Sequence, residues 1–111
     1  IKMGLDQYAF ARKEGEEDEK IMYWRKHANL EGWMANLYRN RGGTSEFNCV
    51  ELKLREEDLD RLSEEHGNLE TAEGFFWGQS CEEDISSTNM FLEAAYKKMQ
   101  DGYEIIYTSW W

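Results

Sequence analysis

Proline is absent from all 111 residues. Turns and helix stops therefore fall to the nine glycines, and element boundaries are expected at them. Cysteine is nearly absent too: Cys49 and Cys81 stand alone, with no Cys-x-x-Cys, no histidine at ligand spacing and no signal-peptide pattern before them. Two free thiols in a reducing cytoplasm are the expectation. No apolar run approaches the roughly 20 residues that span a bilayer, so no membrane partner is expected. Base is scarce, with 13 Lys and Arg against 23 Asp and Glu, and the net charge of −10 repels phosphate backbones and anionic membranes. General nucleic-acid binding is disfavoured; a basic partner, or solubility alone, suits this charge.

Hydrophobic residues make up 41% of the chain and aromatics 14%, so a core would be built largely from rings. The length is that of one domain, residues 1–111, too small for a cleft between two. No linker or internal repeat divides it.

Along the chain, Leu5 to Arg12 alternates as a strand, with Tyr8 and Phe10 on one face and Leu5, Ala9 and Ala11 on the other. Lys13 to Lys20 is a charged loop, and Ile21 to Trp24 a short buried extended piece. The stretch from about Arg25 to Arg39 predicts the central helix, in which His27, Leu30, Met34, Leu37 and Tyr38 recur at spacings of three and four beside Trp33. Gly32 costs about 1 kcal/mol inside a helix relative to alanine, which predicts a close crossing by another element there. Phe47 to Leu54 predicts a second strand, Glu56 to His66 a surface helix with Leu59 and Leu62 inward, and Glu82 onward a third helix ending at Gly102. Tyr103 to Trp111 reads as a last strand, apolar on both faces and hence central. The pattern predicts an α+β fold: a small, largely antiparallel sheet with about three helices packed on one face.

Met3-Gly4-Leu5-Asp6-Gln7-Tyr8, Tyr23-Trp24-Arg25-Lys26 with Trp33 downstream, Gly74-Phe75-Phe76-Trp77-Gly78 and Tyr107-Thr108-Ser109-Trp110 run from near the start of the chain to its end. In these motifs the chain resembles a group of small tailed-phage and bacterial proteins of unknown function. The resemblance implies a phage-borne accessory protein of the host cytoplasm. Some members carry a phosphoglycerate-kinase label, which the residues oppose. Such a kinase needs two closing domains and a glycine-rich phosphate turn at a helix start, whereas these glycines flank phenylalanines.

His27 is the foremost acid–base candidate, with Arg25 nearby in sequence and Asp6 a possible carboxylate partner across the sheet. The plainer account is a core histidine bonded to a backbone group. Asp6 is by the same reasoning more simply the partner of Arg25 or His27 than a catalytic group. The acidic runs Glu16 to Glu19, Glu56 to Asp60 and Glu82 to Asp84 lack the alternation and glycine of a calcium loop and read as solvated faces and helix-start charges. No metal or cofactor is called for. Phe75, Phe76 and Trp77, with Trp110 and Trp111, are either core rings or contact anchors, and five tryptophans with eleven other aromatics cannot all be interior in so small a domain.

The leading expectation is a non-enzymatic interaction protein whose aromatic patch, ringed by acid, engages a host or phage protein, with self-association as a close variant. The alternative is a small enzyme or ligand-binding protein with a pocket around His27, Arg25 and Asp6 against Trp24 and Trp77. A third is an acidic DNA mimic, which requires rows of carboxylates that linear sequence cannot display.

Overall fold

The computed structural model describes residues 4–74 and 77–111. Four strands, β1 (Asp6–Arg12), β2 (Glu19–Arg25), β3 (Leu52–Leu54) and β4 (Glu104–Trp110), form one antiparallel sheet in the order β2-β1-β4-β3. Three helices, α1 (Ala28–Asn40), α2 (Glu56–Glu65) and α3 (Glu83–Gln100), pack on one face of it, giving the expected α+β fold. Alternation along β1 sets the two faces. Gln7, Ala9 and Ala11 turn toward the helices, and Asp6, Tyr8, Phe10 and Arg12 turn away.

The small alanines let the helix layer approach the sheet. Beneath them the core joins Trp24, Leu30, Met34, Leu59, Leu62, Phe91 and Tyr107, with Trp24 edge-on to Phe91 at 5.2 Å between centroids. β4 lies between β1 and β3, and Ile105, Ile106 and Tyr107 are all buried, as its apolar faces predict.

Several boundaries differ from expectation for identifiable reasons. Arg25 is the last residue of β2, in register with Asp6, so α1 starts three residues later than predicted. Lys26 adopts φ 61°, a left-handed turn that redirects the chain and places His27 at the N-cap. Ile21 to Trp24 is buried only at Trp24, because β2 is an edge strand and extends back to Glu19. The predicted strand from Phe47 shrinks to Leu52–Leu54. Cys49 is left-handed at φ 61°, and Asn48 spends its amide on both backbone groups of Trp111.

The crossing predicted at Gly32 is present. A Cβ there would stand 2.4 Å from that of Ala72, in the segment that runs from α2 back across α1. That segment is tied down by the Ala72 N–H, which donates to Asn29 Oδ1 at 3.0 Å.

Candidate functional site

Two groups of polar and aromatic side chains stand out, one on each face of the sheet. On the helix side, Gln7 in β1 accepts the His27 N–H and donates to the His27 carbonyl and to Tyr107 Oη, at 2.9, 3.0 and 2.9 Å. Tyr107 Oη in turn donates a hydrogen bond to Glu31 Oε1 at 2.6 Å, and Ser109 donates to Glu31 Oε2 at 2.8 Å. Glu31 is wholly buried in the first turn of α1, where the helix dipole favours an anion, and among the described residues no ion pair offsets its desolvation. Burial raises its pKa to about 7, against the two hydroxyl donors that lower it.

His27 completes this group. Its Nδ1 lies 2.6 Å from Ser80 Oγ and 3.7 Å from Asp84 Oδ2. Serine, histidine and aspartate thus meet, but at one ring nitrogen; a proton relay needs the carboxylate on one nitrogen and the nucleophile on the other. Nε2 is buried from solvent and has no hydrogen-bond partner among the described residues. Ser80 Oγ also accepts the Asn29 N–H at 3.0 Å and so supplies the helix cap that His27 itself does not make. Burial lowers the His27 pKa, partly offset by Asp84. A cavity of about 350 Å³ lies alongside, edged by His27, Asn29, His66 and Ser80.

On the opposite face, Asp6 Oδ1 accepts Tyr23 Oη at 2.6 Å and Arg25 Nη1 at 2.8 Å. The Tyr23 pKa is raised, first by that bond to Asp6 and then by burial. Arg12 binds Asp18 and Glu51, each at 2.8 Å, Lys53 stands 3.6 Å from Glu104, and Lys20 lies over the Tyr23 ring. Inside this frame Tyr8 stacks on Phe10 at 6.1 Å and tilts against Tyr23 at 5.3 Å. Ile106 and Thr108 of β4 fill the gap beside them, in register with Phe10 and Tyr8.

The residues singled out in sequence therefore divide. Asp6 and Arg25 form an ion pair on the helix-free face, while His27 is on the helix side with Ser80 and Asp84 as partners. Trp110 is 52% exposed, opposite Asp6 in register. Trp111 is half-buried, donates its indole N–H to the Phe47 carbonyl at 3.0 Å and meets Trp77 edge-on at 5.6 Å. Phe75 and Phe76 lie outside the described residues.

Sequence reasoning missed Glu31, Gln7, Ser80 and Ser109. For Glu31 a signal existed: it follows His27 by four and precedes Met34 by three, within the apolar stripe. Among the described residues no helix is long and apolar enough to cross a membrane, and no three of His, Cys, Asp and Glu group as metal ligands. The chain matches no protein family, no curated protein and no solved structure.

Proposed function

We propose that this protein is a non-enzymatic interaction module that binds another protein through the helix-free face of its sheet. The observation that carries the reading is what fills that face. An antiparallel sheet open to water on one side alternates apolar-in with polar-out, whereas here Tyr8, Phe10, Tyr23 and Trp110 point outward. Tyrosine and tryptophan are the usual anchors of interfaces, and a rim of ion pairs around an aromatic centre has the anatomy of a contact surface. The position of His27 supports a non-enzymatic role. Nδ1 is taken by Ser80, Nε2 is sealed from solvent, and Arg25 and Asp6 are on the other side of the sheet, so the three do not share a pocket.

Affinity capture with matched variants tests this. Tyr23→Ser/Trp110→Ser should abolish binding that the wild type shows, while Ile85→Ser/Met90→Ser, which alters exposed apolar residues of α3, should retain it. Equal binding by all three chains would remove the proposal.

A further inference from the structure

Resting on that reading of the face, we infer that its occupant is a second copy of this chain, related by a two-fold axis that stacks the two sheets face to face. Charge carries the inference. The basic groups on the face (Arg12, Lys20, Arg25 and Lys53) are matched by an equal number of acids held beside them in the pairs described above. These eight groups therefore contribute nothing to the chain's net charge of −10, while α2 carries six acids against one base.

A surface evolved for a basic partner would carry unpaired acid, and one for an acidic partner unpaired base. Among the described residues named above the signs sum to zero: Lys20 lies over the Tyr23 ring rather than on an acid, and its charge is offset by the second of the two acids on Arg12. A charge-balanced, aromatic patch is self-complementary, as an isologous contact requires. Stacking two such faces also sends the acidic helix layers to opposite ends of the dimer, where their mutual repulsion is least.

The edges of the sheet offer no competing route to self-association. β2 carries a register break opposite Ala9 and Phe10, β3 is three residues long, and the Lys53 carbonyl is capped by Arg41 at 2.9 Å. The size of the face sets the strength. Three strands of seven residues and one of three, about 4.8 Å apart, give a patch on the order of 20 Å across, at the small end of specific interfaces. The dimer should dissociate on dilution.

Sedimentation equilibrium of the full chain from 10 µM to 1 mM, at about 50 mM and 500 mM NaCl, tests the inference. The expected result is a monomer–dimer equilibrium that salt strengthens by screening the residual repulsion of two −10 bodies. Trp110→Lys or Thr108→Glu should weaken it at least tenfold; Met90→Lys on α3 should not, and circular dichroism would show that each variant is folded. A chain monomeric at 1 mM in high salt overturns the inference, as does a dimer that Met90→Lys disrupts and Trp110→Lys does not. If the chain is monomeric yet the serine variants of the face still lose a captured protein, the interaction module stands and only the second copy falls.

Discussion

Tyr107 donates its phenolic proton to Glu31 at 2.6 Å, joining the middle of β4 to the first turn of α1 across 76 residues of chain. Both side chains are fully buried, and the bond fixes how α1 lies on the sheet. Burial of the Glu31 carboxyl outweighs this bond, and it makes stability depend on pH in the sense opposite to that of most carboxylates.

Glu31 binds its proton more tightly in the folded chain, near pH 7, than at its ordinary value of 4.5. Its contribution is full below about pH 4.5 and is lost as pH rises through about 7, a change of about 3 kcal/mol. Glu31→Gln keeps a neutral side chain there, so its stability relative to wild type should climb between pH 5 and pH 8. Urea midpoints at unit pH steps measure this, and a difference that does not vary with pH would refute it.

His27 has the opposite sign. Its folded pKa is depressed by burial, so its contribution is present above 6.5 and is lost as pH falls through the folded value. A ring titration followed by NMR should give a midpoint below 6.5. Ser80→Ala removes both the Nδ1 partner and the acceptor for the Asn29 N–H, and should cost about 1–2 kcal/mol at pH 7.5.

Gly32→Ala should destabilise the protein although alanine favours a helix by about 1 kcal/mol. The new methyl would meet Ala72 Cβ at 2.4 Å and push the crossing segment off α1. Faster hydrogen exchange at the Ala72 amide would report the shift. The double change Gly32→Ala/Ala72→Gly should recover most of the loss; an additive cycle would show that the contact does not govern the site.

Asp6→Asn should lower the unfolding midpoint by the equivalent of about 1–2 kcal/mol, because the carboxylate is mostly buried and holds both Tyr23 and Arg25. Arg25 is half exposed, so water screens much of its share, and Arg25→Gln should cost less. The same midpoint for Asp6→Asn and wild type would show that this anchor is idle.

Much of the fold was legible because alternation and helical spacing record which side of an element is dry. Ala9 and Ala11 against Tyr8 and Phe10 gave the two faces of β1, and Leu59 with Leu62 gave the inward side of α2. The site was not legible in the same way. Arg25 and His27 are two residues apart, and only the left-handed turn at Lys26 sends them to opposite sides of the sheet. Tyr23 read in sequence as part of a buried piece and Trp110 as either a core ring or a contact anchor, since an apolar residue in a strand carries no mark of whether a second layer covers it.

By itself, then, the sequence determined the class of fold, the order of its main elements and the strong negative charge, all of which follow from local periodicity and composition. Tertiary structure alone decided that Glu31, Tyr107, Gln7 and His27 share one buried network, and that Arg12 meets Asp18 and Glu51, Arg25 meets Asp6, and Lys53 meets Glu104 around the outward rings. Both depend on contacts between residues far apart in the chain, whose pairing is set by strand register and helix packing rather than by any local pattern.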